Sequence, residues 1–133
     1  MSTDQLPTEG MLFPLTEGTG ARVVPIRIDG RLYGVPVAQA GDMVVLSATV
    51  PVAFAPASVR GVVNRQGRMA TVIETRLGLG RDQTPTPPLI GLSVEHDGHF
   101  YILAVDEVRE ITDSANTREP IAPLDIGAIV ARP

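Results

Sequence analysis

The chain has 133 residues, a net charge of −4 from 11 basic and 15 acidic side chains, and no cysteine. That length suits one domain, or two small units sharing a core, and buries enough surface to fold without a metal or disulfide staple. Disulfides, thiolate metal sites and cysteine nucleophiles are excluded, and because all 11 basic residues are arginine, lysine Schiff bases and P-loop chemistry are excluded too.

Residues 1–20 read as a flexible tail around one short apolar run, Met11-Leu12-Phe13-Pro14-Leu15, a candidate for an added edge strand. The tail begins with Asp4 as its first charge and lacks the positive start and longer apolar core of a secretory signal. No stretch approaches the ~18 apolar residues of a membrane span. The expectation is a cytoplasmic protein with no direct membrane contact.

From Arg22 onward, glycine and proline fall at short intervals and leave little room for long helices. The runs between them are rich in Val, Ile and Leu and read as strands. Arg22–Ile28 and Arg31–Val37 flank Asp29-Gly30, a strong hairpin signal because a type I′ turn needs positive φ at both central residues. A strand is expected over Val44–Thr49, and a second hairpin joins Ser58–Asn64 to Arg68–Thr75 around Asn64-Arg65-Gln66-Gly67. Leu77–Pro88 reads as a loop, since Thr-Pro-Thr-Pro-Pro cannot be an interior strand. Leu89–Glu95 and His99–Val105 form a third hairpin around Asp97-Gly98, and Ile121–Val130 is a final apolar stretch. One short helix is expected, at Pro56–Arg60 or just after Thr75.

The first and third hairpins resemble each other. Asp29-Gly30 and Asp97-Gly98 are 68 positions apart, and in both copies Tyr follows at the third position beyond Gly and Val at the seventh. Both residues fall on one strand face. Two similar β units packed together account for this spacing.

A search for chemistry yields little. No Gly-x-Ser-x-Gly elbow is present, and Gly78-Leu79-Gly80 lacks the third glycine and the strand–helix context of a dinucleotide fingerprint. His96, His99 and Asp106 are the best candidates for a metal or general-base site, but two histidines beside a turn are more simply exposed surface residues. No nucleic-acid partner is expected: the charge is acidic, tryptophan is absent, and Phe and Tyr total five.

The stretch Val23–Gly80 resembles the CheW family, the adaptors of bacterial chemosensory arrays. Ile26–Ile28, Asp29-Gly30, Tyr33-Gly34-Val35-Pro36-Val37 and Asp42-Met43-Val44 occupy the places of its opening motifs. Pro51, Pro56, Val59, Gly61, Asn64, Gly67, Met69, Val72, Arg76 and Leu77-Gly78 follow in the family's order, and Val105-Asp106-Glu107-Val108 matches its later Val-Asp-x-Val. The resemblance spans most of residues 22–111. It departs where Arg65-Gln66 replaces Leu-Arg, where Asp42 replaces Glu, and in Thr71, Glu74 and Thr75. Only 25 residues follow Val108, fewer than family members usually carry, so the second barrel is expected to be incomplete or closed differently.

What the resemblance implies is a mainly β fold of two small pseudo-symmetric SH3-like β-barrels, the second one shortened, within residues 21–133 and with a linking loop near residues 77–88. It implies no active site, cofactor or metal. The implied partners are the cytoplasmic tip of a chemoreceptor (a methyl-accepting chemotaxis protein) and the regulatory domain of a CheA-type histidine kinase, at receptor clusters in the cytoplasm. Val37, Asp42, Val59, Gly61, Asn64, Arg65, Gln66 and Gly67 are the implied contact residues. Two variants of this reading stay open. One is an accessory protein that binds receptors but not kinase; the other is a homodimer paired through strand edges left open by the shortened barrel. The out-of-class alternative is a small β-barrel metal- or ligand-binding enzyme using His96, His99 and Asp106.

Overall fold

A computed structural model describes residues 22–46, 49–82, 88–115 and 117–131; the apolar run at 11–15 lies outside them. Three hairpins dominate: β1 (Arg22–Ile28) with β2 (Arg31–Pro36), β4 (Val59–Arg65) with β5 (Arg68–Glu74), and β6 (Ile90–His96) with β7 (His99–Val105). Each turns on two residues of positive φ: Asp29 and Gly30 at 54° and 80°, Gln66 and Gly67 at 53° and 84°, Asp97 and Gly98 at 51° and 77°. The second turn is therefore tighter than its sequence implies, and Asn64 and Arg65 belong to β4.

The remaining elements are β3 (Ala40–Val45), α1 (Thr75–Gly78), β8 (Glu107–Val108), β9 (Thr112–Asp113), β10 (Ile121–Pro123) and α2 (Ile126–Ala131). The strand expected over Val44–Thr49 thus starts and ends earlier. A turn closed by Gln39 N–H on Pro36 O launches it, and a bulge between Ala40 and Met43 absorbs the Gly41-Asp42 pair. The single apolar stretch Ile121–Val130 is divided, because Pro123 ends the strand and Asp125 Oδ1 accepts from Ala128 N–H at the start of α2. The short helix falls after Glu74, and Val59 and Arg60 are strand.

The strands form two five-stranded sheets. One runs β9-β1-β2-β10, with β8 also paired to β1; the other runs β3-β6-β7-β5-β4. Each sheet takes a hairpin from one half of the chain and its flanking strands from the other. The registers show how regular this exchange is. Ala40 pairs with Val94 and Ile26 with Val108; Val44 pairs with Gly91 and Val23 with Thr112; Val45 pairs with Ile90 and Arg22 with Asp113. In every case the second pair is the first with its members 68 positions apart and their roles exchanged. The hairpin resemblance is therefore the visible part of a pseudo-two-fold axis. Beyond it, β7 lies parallel to β5, with Tyr101 opposite Thr71, and β2 lies parallel to β10, with Tyr33 opposite Ala122. The two SH3-like units are unequal here, since only nine positions separate Asp113 from Ala122 whereas twenty-six separate Val45 from Thr71. The shortened unit is the one holding the first hairpin, and its shortfall lies before β10. α2 is present as the counterpart of α1, and Gly78 of α1 packs against Ile129 of α2.

The main core lies between the sheets. Val24, Ile26 and Ile28 of β1, Tyr33 and Val35 of β2, Leu92 and Val94 of β6, Leu103 and Val105 of β7, and Ile126 and Ile129 of α2 fill it. A second core, Val44, Leu46, Ala70, Val72, Ile102 and Ala104, fills the other face of the second sheet. Strand β7 thus faces apolar surroundings on both sides, the physical reason for its unbroken apolar run. Burying each such Val, Leu or Ile contributes about 1.5–3 kcal/mol.

Ion pairs tie the periphery together. Arg27 of β1 donates to Glu107 (3.0 Å) and to both carboxylate oxygens of Glu119 (2.9 and 3.0 Å), clasping β8 and the segment before β10. Asp29 accepts from Arg76 (2.7 Å) and Arg81 (3.2 Å), joining the first turn to α1, and Arg81 donates to Tyr33 Oη (2.6 Å). The hydrogen bond from Arg76 lowers the Asp29 carboxyl below its ordinary pKa; that from Arg27 does the same for Glu119 and, with a second from Arg109, for Glu107. On the other sheet, the largely buried Arg60–Glu74 pair is bidentate at 2.6 and 3.0 Å, and Arg60 also donates to Pro88 O.

Two predictions follow from turn and charge. Gly98→Val lowers stability by about 1–3 kcal/mol in chemical denaturation, because a β-branched residue resists positive φ; a Cβ there meets nothing within 4 Å, so the loss is conformational. Acid weakens the fold through Asp29, Glu107 and Glu119. Their native pKa values lie below the unfolded ones, so the stabilisation is present above the ordinary carboxylate range near pH ~4 and is lost as pH falls through the native values. Melting temperature followed between neutral pH and pH ~3 declines in the wild type, and Arg27→Met flattens that decline.

Candidate functional site

The second sheet curls until its two edge strands approach each other. Strand β3 is at one end of the sheet order and β4 at the other, yet Asp42 and Arg65 lie 3.5 Å apart across the gap. The chain after β3 folds back, so that Val50 exchanges both backbone hydrogen bonds with Val62 of β4 (3.0 and 2.9 Å). No ladder closes the seam between β3 and β4 among the described residues; the ion pair and this single bridge span it.

Two hollows flank the ion pair. One, about 280 Å³, is lined by Asp42, Arg65, Gln66, Arg68, Phe100 and Tyr101 among others. The other, about 350 Å³, is lined by Val45, Val50, Val62, Val63 and Met69 beside Asn64 and Arg65, among others. Val45, Val50 and Met69 are 71%, 66% and 60% exposed. Large apolar side chains clustered around one charged pair on an open surface are characteristic of a protein-docking patch.

The eight contact residues implied by sequence divide into two groups. Asp42, Arg65 and Gln66 converge on the first hollow, and Asn64 and Arg65 border the second. Asp42 is placed by its own N–H, which donates to Ser93 Oγ (2.8 Å), and a Cβ on the preceding Gly41 would lie 2.3 Å from that oxygen. Asn64 also shapes the turn, because its Oδ1 accepts from Gly67 N–H at 3.0 Å. Gly61 sits at a bulge where Val50 O would be 2.6 Å from a Cβ, so the position admits the returning chain. Val59 packs against the main core, and Val37 lies in the turn between β2 and β3, where its carbonyl accepts from Ala40 N–H. Neither lines the seam hollows.

Sequence reading did not mark Arg68, Val45 or Met69 as contact residues. The Arg68 guanidinium stands 3.5 Å from the Phe100 ring centroid, a cation–π contact between the start of β5 and β7. A signal for Val45 was present: Met43, Val44 and Val45 are consecutive apolar residues in an edge strand, whose outward positions are ordinarily polar. The histidine cluster is dispersed. His96 pairs with His99 across the third turn and its Nδ1 is 3.2 Å from Gln39 Nε2, whereas Asp106 accepts from Asp29 N–H at 2.9 Å. Among the described residues no three His, Asp or Glu side chains are grouped to hold a metal ion, and no helix is long and apolar enough to cross a membrane.

Comparison with known proteins agrees with this architecture. No match is found among curated protein sequences. Among solved structures, the crystal structure of the scaffolding protein TtCheW from Thermoanaerobacter tengcongensis superposes with a TM-score of 0.64 at 21% identity. The match covers 71% of this chain and 65% of that one, just under two thirds of the solved protein's length. The family model for the CheW-like domain matches residues 22–127. Together with the paired five-stranded sheets, that match places this chain in the CheW-like domain family.

Proposed function

We propose that the chain is a noncatalytic adaptor of a bacterial chemosensory system, binding the cytoplasmic tip of chemoreceptors and coupling them to a CheA-type histidine kinase at receptor clusters in the cytoplasm. The observation that carries this reading is the seam between β3 and β4: a charged pair, Asp42 and Arg65, between two hollows with exposed Val45, Val50 and Met69. A partner surface with apolar side chains and complementary charge fits such a patch.

A second reading has its own support. Among the described residues the other sheet carries no counterpart of β4, and a matching seam is found on only one side of the pseudo-two-fold axis. An adaptor with one seam binds receptor and leaves the kinase unbound, which limits array assembly. Separate affinity measurements with a receptor signalling-tip fragment and a kinase regulatory domain decide between the two: comparable affinities favour coupling, and receptor binding alone favours the accessory role.

Co-sedimentation with receptor signalling-domain fragments tests the adaptor reading directly, and absence of wild-type binding refutes it. Asp42→Arg lowers affinity at least tenfold with little change in melting temperature, since the pair is exposed and contributes under about 1 kcal/mol to folding. The double variant Asp42→Arg, Arg65→Asp restores the pair with its sense reversed; binding that recovers only in part assigns the charges to partner recognition.

A further inference from the structure

We infer that two copies of this chain pair through the seam, the Phe54 ring of each entering the hollow beside Val50 and Met69 of the other. Ala55 N–H donates to Val52 O (3.3 Å) and closes a turn over Val52–Ala55. Its third residue, Phe54, has φ of 64°, and its second has no positive φ. That is the pattern of a type II turn, whose third position favours glycine or asparagine. A bulky aromatic residue there is a backbone outlier. No packing within the chain offsets the strain, because Phe54 is fully exposed. The turn is nevertheless firmly mounted. Val50 exchanges both backbone hydrogen bonds with Val62 at its start, and Ser58 O accepts from Glu74 N–H (2.7 Å) beyond its end. Pro51 and Pro56 bracket it and restrict the backbone further. A strained, rigidly held and exposed aromatic side chain has the properties of a contact anchor.

Position and charge select a second copy as the occupant. Val50, at the foot of the turn, also lines the hollow of about 350 Å³, where Asn64 and Arg65 are the polar residues among the described ones at its wall. Pockets of about 300–1,000 Å³ take small molecules, so this one has room for a phenyl ring. Phe54 lies at most about 14 Å of extended chain from Val50. The chain thus carries a protruding ring and a hollow that fits it side by side. Adjoining features of this kind are met reciprocally under a two-fold rotation, which closes the assembly at two copies. No charged residue lies between Asp42 and Arg60 in sequence, and the ion pair at the rim has one member of each sign, so like faces meet without net repulsion. Two rings with Val45, Val50 and Met69 of each copy make an interface at the small end of the specific range, so the pair is weak and concentration-dependent. Pairing covers the seam and thereby excludes a docked partner; this regulatory consequence, unlike the pairing, rests on the adaptor reading above.

Light scattering on the full chain between about 1 μM and about 1 mM tests the pairing. The expected mass rises from one chain toward two and no further. Phe54→Asn abolishes the rise. Because asparagine accepts positive φ, the same variant melts about 2–5 °C higher, which separates lost pairing from lost folding. Met69→Glu places a charge in the hollow and also abolishes the rise. Mixing the two variants restores association above that of either alone, since the Phe54 ring of the Met69→Glu chain still meets an intact hollow in the Phe54→Asn chain. A monomeric mass at about 1 mM overturns the inference, as does a dimer that survives Phe54→Asn or a mixture no better than its components. Co-sedimentation with a receptor signalling-tip fragment separates the two readings. Where the wild type pairs, Phe54→Asn binds the fragment more tightly because its seam is uncovered. Pairing without any receptor binding refutes the adaptor reading alone, whereas a monomeric wild type whose receptor binding falls in Phe54→Asn assigns the ring to the receptor and overturns self-pairing.

Discussion

Neither half of this chain can complete a sheet alone. The second strand of each related hairpin needs a parallel neighbour, and the other half supplies it: Thr71–Glu74 alongside Tyr101–Ala104, and Ile121–Pro123 alongside Leu32–Gly34. Parallel pairing cannot be made by a tight turn and needs a long connection. The exchange of strands meets that requirement twice, and it forces the main core to draw on both halves at once. Ile26, Val35, Leu92 and Leu103 are fully buried because residues far away in sequence close over them. The two β units are therefore not a pair of independently folding domains joined by a tether.

The duplication also bears on the proposed docking surface. Glu110 stands 68 positions after Asp42, at the corresponding place in the shortened unit. Among the described residues the strand that would carry its arginine has no counterpart, and the charged pair of the seam is found once. In that shorter unit Glu107 and Glu119 are held by Arg27 and so fasten the fold itself. The same frame thus carries the proposed docking surface on one side and a structural clasp on the other. The difference follows from seventeen fewer residues between β9 and β10 than between β3 and β5, set by the registers.

Much of this was legible in local sequence. Asp29-Gly30 and Asp97-Gly98 marked two turns because backbone geometry leaves few residue types able to occupy them, and their 68-residue spacing announced the duplication. The exchange of strands was not legible, since strand order within a sheet is decided by contacts between segments far apart in the chain. Strands β8 to β10, two or three residues each, are too short to show a period. At the seam, family motifs drew attention to Asp42, Arg65 and Gln66, which the fold gathers; they equally marked Val59 and Gly61, whose places are explained by core packing and a close backbone approach. Arg68 escaped notice because its partner, Phe100, lies on a strand from the other half.

The distance between paired segments has a consequence for synthesis. Val23 finds its partner in Thr112, and Leu32 in Ile121, so the first hairpin cannot be enclosed until residues 89 positions later have left the ribosome. During translation at roughly 5–20 residues per second, its Val- and Ile-rich strands spend several seconds without their final neighbours. The first hairpin therefore closes late, and the interval before β10 arrives is the period in which the nascent chain most needs chaperone protection.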